Sequence, residues 1–319
     1  MHDQKQYRKV SFLAGVSMKF YNVYMVLLLF CSQMVLGRLE ILDTNPQDVE
    51  LLSIQEMRFC YISFVRINGK KYIIKQKKSD CLRKLVGVVR DAVMAHCAEN
   101  FIDAHLVDII PAGKEFPGKP RKDWPATIHT IAPGKMIKDQ NSRFNHMNIK
   151  QAAVGFRYDM LEWMAKDATL IKIVAFDTVL CNHDRHRGNL FYNAKTDSFC
   201  AIDMDSACKY NLCALACQNF TAMLNNRKLQ LSGKELRVLI EYKKHLQFLI
   251  DHYQPEDRLA LYDYFAQKAG FVEGSPIYLP KFVLEMEHNK EVIIASYQDA
   301  QKLVKIVGQL IEKTQKSLK

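Results

Sequence analysis

Between Asn189 and Asp203 the sequence reads as a β-hairpin set inside a stretch of chain that is otherwise helical: NLFYN (189–193), a polar AKTD turn, then SFCAID (198–203). A hairpin folds back on itself, so its two open ends finish side by side. Asn189 stands at one end and Asp203 at the other, and Asp184 lies five residues before Asn189 in the polar loop DRHRGN (184–189). The fold must therefore gather one amide and two carboxylates on a short, stiff platform.

The rest of the chain falls into two halves of different pattern. RLEIL (38–42) suggests a first strand, and residues 44–56 are polar and irregular. FCYISFVRI (59–67) and KKYIIKQ (70–76) flank Asn68-Gly69, a strong short-range hairpin signal because both residues tolerate positive φ. Alternation puts Tyr72 and Ile74 on one face of the second strand and Ile73 and Lys75 on the other. A helix is expected over about 80–99, with Leu82, Leu85, Val89, Val93 and Met94 on one face. A strand and turn at 104–113, a Pro- and Gly-rich loop at 114–125, and a short strand ending in Pro133-Gly134 complete the first half.

Beyond residue 148 helical periodicity takes over, at 148–168 and 169–181, then after the hairpin from Ser232 to about 252, near 256–269 and over 289–317. Ser232-Gly-Lys-Glu235 is a capping box. A strand-rich lobe followed by a helical lobe with one embedded hairpin is an α+β bilobal layout, with a cleft between the lobes.

The chain has 319 residues and a formal net charge of +11, from 45 Lys plus Arg against 34 Asp plus Glu. That charge suits an anionic partner. No sustained basic helix and no zinc-finger spacing occurs, so nucleic acid is not the leading partner. The nine Cys include no CxxC pair, so neither a disulfide framework nor a zinc site is indicated. Cys208, Cys213 and Cys217 read as small core residues.

At the N-terminus, VYMVLLLFCSQMVL (23–36) is apolar and uncharged, preceded by Lys5, Arg8, Lys9 and Lys19 and followed by Gly37-Arg38. Residues 1–37 have the layout of a signal peptide or a signal anchor, and a buried helix is the alternative. Membrane association or export follows from either signal.

The constellation at 184–203 is what phosphoryl transfer requires: an Asp to take or orient the proton of an attacking hydroxyl, and an Asn and an Asp to hold magnesium. Asp184-Arg185-His186-Arg187-Gly188-Asn189 resembles the DRHxxN loop of phosphoinositide 3-/4-kinases and their protein-kinase relatives. Phe176-Asp177 with Asn182-His183-Asp184-Arg185-His186 and Asn189 is also similar to HipA-type kinases, and Ile202-Asp203 resembles the Ile-Asp that these families carry in place of DFG. The resemblance covers roughly residues 58–207. It implies a protein-kinase-like fold, with an N-lobe and hinge over 38–135 and a helical C-lobe over 136–319. It implies ATP and Mg2+ as cofactors, and a protein Ser/Thr or an inositol-lipid hydroxyl as acceptor.

By this resemblance Asp184 is the catalytic Asp, supported by His186 and Arg185, and Asn189 and Asp203 are the metal ligands, with Asp205 a second candidate for Asp203's role. Lys75 corresponds to the phosphate-binding Lys of the third strand. Asp91, or Glu99, corresponds to the helix acid that pairs with it. Thr127–Gly134 is similar to the strand and hinge that meet adenine, where His129 and Ile131 offer backbone groups. One departure stands out: residues 38–68 contain no Gly, so the usual phosphate-covering turn is missing. A nucleotide-binding pseudokinase is therefore the alternative.

Overall fold

The computed structural model describes residues 46–78, 85–99, 101–137, 168–185, 187–275 and 277–318. The chain divides into two units, Met1–Val49 and Glu50–Lys319. Of the first, only residues 46–49 are described, with a single 3-10 turn at Pro46–Asp48. The segment 1–37, RLEIL (38–42), Leu82, His186 and most of the helix expected at 148–168 lie outside the described residues.

The second unit is α+β, with its strands first and its helices after, as the pattern of the two halves requires. A five-stranded sheet has the order β1-β2-β3-β6-β5. Its strands are β1 (Val49–Glu56), β2 (Cys60–Ile67), β3 (Lys70–Lys77), β5 (Val107–Ile110) and β6 (Ala126–Thr130). β2 and β3 form the Asn68-Gly69 hairpin, with φ of 49° and 76° at the two turn residues. β1 corrects the expectation of irregular chain at 44–56. As an edge strand it leaves Leu51 and Ile54 exposed, so the alternation that marks a half-buried strand is absent.

Helix α1 (Gly87–Ala98) packs between the sheet and a later helix, and all but one of its residues are buried. It is thus an all-round core helix rather than the one-faced helix expected, because Gly87, Ala92, Ala95 and Ala98 let its neighbours approach from every side.

The helical half comprises α2 (Ala168–Val179), α3 (Leu212–Asn225), α4 (Gly233–His252), α5 (Pro255–Ala269) and α6 (Pro280–Ser317). The α4 capping box forms as read: Ser232 Oγ accepts from Glu235 N at 3.3 Å, and Glu235 Oε2 accepts from Ser232 N at 2.6 Å. α3, not foreseen, starts at Asn211, whose side chain accepts from Ala214 N. α6 begins nine residues earlier than expected, with Pro280 at its first position, where a missing N–H costs nothing. Cys208 and Cys213 are buried and Cys217 is half-buried.

The embedded hairpin is the centre of a second sheet of order β4-β9-β8-β7. β8 (Leu190–Asn193) and β9 (Ser198–Ala201) pair antiparallel. β4 (Asp103–Ala104) adds to β9, and β7 (Lys135–Met136), just past the expected hinge, adds to β8. Gly134 makes that junction feasible: its φ is +93°, and a Cβ there would sit 2.2 Å from the Tyr192 carbonyl oxygen. Among the described residues, no helix is long and apolar enough to cross a membrane.

Candidate functional site

Three elements converge on the open end of the hairpin. The first is the loop after α2. Arg185, on this loop, is buried at 2% exposure. Its Nε and Nη2 donate to the two carboxylate oxygens of Asp177 at 2.8 and 2.9 Å, and its Nη1 donates to the carbonyls of Asn189 and Ile202, each at 2.9 Å. Burial alone would lower the guanidinium pKa, but Asp177 outweighs it and raises it. Asp177 also accepts from Asn182 Nδ2 at 3.0 Å. One arginine therefore ties α2 to both strands of the hairpin.

Asn189 Nδ2 donates to the Asp184 carbonyl at 2.9 Å, and Ile202 N donates to the Asn189 carbonyl at 3.1 Å. Asp184, Asn189 and Asp203 are thereby brought to one end of the hairpin. Asp184 is exposed and Asn189 is buried. Asp203 has a φ of 55°, a left-handed conformation uncommon outside Gly, Asn and Asp, and it redirects the chain away from β9.

The second element is β3. Lys75 Nζ lies 2.5 Å from Asp203 Oδ1 and 3.1 Å from Asp205 Oδ2. Burial would lower the Lys75 pKa, yet Asp203, Asp205 and Asp91 hold it well above the usual lysine range. Lys77, two residues along the same strand face, bonds Asp205 as well. Burial disfavours charge on Asp205, but Lys75 and Lys77 together hold its carboxyl well below the usual range. The sequence reading missed Lys77. Its signal was the two-residue strand period that puts it beside Lys75.

The third element is α1. Asp91 takes up a different partner from the expected one: its Oδ1 accepts from Met204 N at 3.0 Å, and Lys75 bonds Asp203 and Asp205 instead. Burial pushes the Asp91 carboxyl up to about 7, against the pull of Lys75 and with the help of Asp203 and Asp205. Glu99 sits exposed at the C-cap of α1, two turns beyond Asp91.

His129 on β6 also departs from expectation, because its ring and not only its backbone faces this cluster. The ring stacks on His105 with centroids 4.9 Å apart, and Nε2 lies 3.7 Å from Asp91 Oδ2 and 2.6 Å from Thr127 Oγ1. Burial, then His105 and Lys75, keep the His129 pKa well below normal, so the contact with Asp91 is not an ion pair. Burial likewise lowers His105 to about 4, although its Nδ1 meets the Ala201 carbonyl. His105 was not anticipated, and nothing local marks it. Ile131, just past β6, is 45% exposed.

The β1–β2 connection is the turn Met57-Arg58-Phe59, closed by Met57 N donating to the Cys60 carbonyl. Met57 and Phe59 are exposed, and the Arg58 guanidinium lies over the Phe59 ring at 4.8 Å. Two surface cavities of about 250 and 290 Å3 lie elsewhere, one against the C-terminal end of α1 and one between α5 and α6.

The donor chemistry fits a hard divalent cation. Asp203 offers a carboxylate that is 35% exposed. Asn189, with Nδ2 spent on the Asp184 carbonyl, has only its amide oxygen to offer.

No protein-family profile matches this sequence, and neither does any curated protein. Among solved structures the chain is similar to a Helicobacter pylori proinflammatory kinase, CtkA, at 11% identity and a TM-score of 0.44. The match covers 82% of this chain and 96% of that one. The chemistry of the site rests on its own residues.

Proposed function

We propose that the chain is an ATP- and magnesium-dependent phosphotransferase acting on a hydroxyl, either of a protein Ser/Thr or of an inositol lipid. The observation that carries this reading is the Lys75–Asp203 contact at 2.5 Å, which joins the sheet of the first half to the end of the hairpin that also bears Asn189. A strand lysine, a carboxylate and an amide within one cluster are the parts needed to hold a charged triphosphate.

In this reading Asp203 and Asn189 would hold magnesium, which when bound neutralises phosphate charge. Lys75, kept fully charged by its acids, exchanges part of its contact with Asp203 for phosphate oxygens. Asp184, exposed beside Asn189, accepts the proton of the attacking hydroxyl, and Arg185 keeps Asp184 and Asn189 in register. The exposed chain at Ile131, between β6 and β7, offers a place for the base. The +11 net charge favours an anionic acceptor surface, consistent with either acceptor class.

The Met57-Arg58-Phe59 turn favours a second reading. It lacks the glycines that let backbone amides wrap phosphates, which suits a protein that binds nucleotide without turnover.

The test is magnesium-dependent ATP binding and γ-phosphate transfer by the full chain, beside Asp184→Ala and Asp203→Ala. Binding that needs magnesium and is lost in Asp203→Ala, with transfer lost in Asp184→Ala while binding persists, is the expected result. Transfer retained by Asp184→Ala would sink the assignment. Binding without transfer by the wild type would move the second reading to the front.

A further inference from the structure

Arg90 is a guanidinium on α1 with only 1% exposure. Its Nε donates to the Asp205 carbonyl at 2.7 Å, and its Nη1 donates to Glu285 Oε1, on the second turn of α6, at 3.0 Å. The next residue, Asp91, accepts from Met204 N. Two consecutive α1 side chains therefore grip the backbone of two consecutive residues, Met204 and Asp205, in the segment that follows Asp203. Gly87 lays the start of the helix on the same segment, since a Cβ there would come within 3.2 Å of both Asp205 Cβ and its carbonyl oxygen.

The start of α6 also meets the chain that follows this segment. His288, three residues after Glu285 and so on the same helix face, lies with Nε2 3.1 Å from the Lys209 carbonyl. α6 thus holds both α1, through Arg90, and the chain just beyond Asp205. A buried guanidinium keeps its place only while an acid faces it, and Glu285 is the acid in contact.

We propose that Glu285 is a positioning residue for the phosphotransfer site: acting through Arg90, it fixes α1 against the Asp203–Asp205 segment and thereby sets the affinity for magnesium–nucleotide. It touches neither nucleotide nor metal. This inference rests on the phosphotransferase reading above, and its test separates the two.

The experiment uses the full chain with Glu285→Ala and Glu285→Gln. Glu285→Gln keeps an acceptor for Arg90, whereas Glu285→Ala removes it. The apparent KM for magnesium–ATP is expected to rise about tenfold in Glu285→Ala with kcat within about twofold, and to rise less than about threefold in Glu285→Gln. A purely structural role would lower the folded fraction, and so the apparent kcat, with KM unchanged; that result overturns the proposal. Amide hydrogen exchange of the nucleotide-free protein is the readout independent of turnover. Exchange at Met204–Ala207 should accelerate about tenfold in Glu285→Ala, and unchanged exchange would refute the clamp whatever the enzyme does. If Glu285→Ala does not fold, Glu285→Asp, which draws the carboxylate back from Arg90 by one methylene, takes its place in the same two measurements, with a smaller rise expected in each and no rise in either overturning the proposal. A wild-type chain that binds no magnesium–ATP would overturn the phosphotransferase reading and the affinity claim with it, while the exchange result still judges the clamp.

Discussion

Removing the carboxylate of Asp177 should destabilise the protein far more than a typical single substitution. Asp177 is 3% exposed and Arg185 is 2% exposed. Asp177→Ala deletes two charge-assisted hydrogen bonds to Arg185 and one from Asn182, and it leaves a guanidinium buried without its counter-charge. Breaking a buried pair from one side costs about 3–5 kcal/mol. With a urea m-value of about 3 kcal/mol/M for a chain of this size, the midpoint should fall by roughly 1–1.7 M. The double variant Asp177→Leu/Arg185→Met removes both charges, so the desolvation penalty goes with them. What remains is the loss of donors to the Asn189 and Ile202 carbonyls and of the acceptor for Asn182 Nδ2, at about 1 kcal/mol each. The double variant should therefore be no less stable than Asp177→Ala, although it has lost a second side chain, at about 3 kcal/mol below wild type. Equilibrium urea unfolding of the wild type, Asp177→Ala, Arg185→Met and the double variant reads this directly. A midpoint shift under about 0.3 M for Asp177→Ala, or a double variant as unstable as the two single losses summed, would refute the reasoning.

Acid should act on two groups in opposite senses. The folded His105 titrates at about 4 against an ordinary 6.5, so the stability of its neutral ring is whole above pH 6.5 and is lost as pH falls toward 4. Asp91, raised to about 7 from 3.8, keeps a proton that the unfolded chain has released, so its contribution falls as pH rises through that window. Between pH 7 and 5, urea midpoints should fall less in His105→Gln than in wild type, and more in Asp91→Asn; the reverse order would contradict both assignments. Gly134→Ala should cost more than about 2 kcal/mol in thermal unfolding, because its Cβ would meet the Tyr192 carbonyl, whereas Gly69→Ala, at φ +76° with open space around it, should cost only about 1 kcal/mol. Ser232→Ala should lower stability by about 1 kcal/mol through loss of the α4 cap, measured by the same unfolding assay.

Short-range rules in the sequence determined much of this protein. The Asn68-Gly69 turn, the hairpin between Asn189 and Asp203 and the Ser232–Glu235 box each depend on residues within a few positions of one another, and each forms where the pattern puts it. The gathering of Asp184, Asn189 and Asp203 was legible for the same reason: a hairpin brings its own ends together. β1 was illegible because an exposed edge strand carries no alternation, and α1's all-round burial because helical periodicity reports one face at a time.

Partner choice belonged to the tertiary structure. Lys75 meets Asp203 across 128 residues of sequence, and Arg90 meets Glu285 across 195. That Asp91 caps Met204 rather than bonding Lys75, that Lys77 joins the cluster, and that His105 stacks on His129 are outcomes of tertiary packing. Charge states follow the same division. A sequence names the ionisable groups, but burial and facing charges move their pKa values, and both exist only once distant segments have closed on one another.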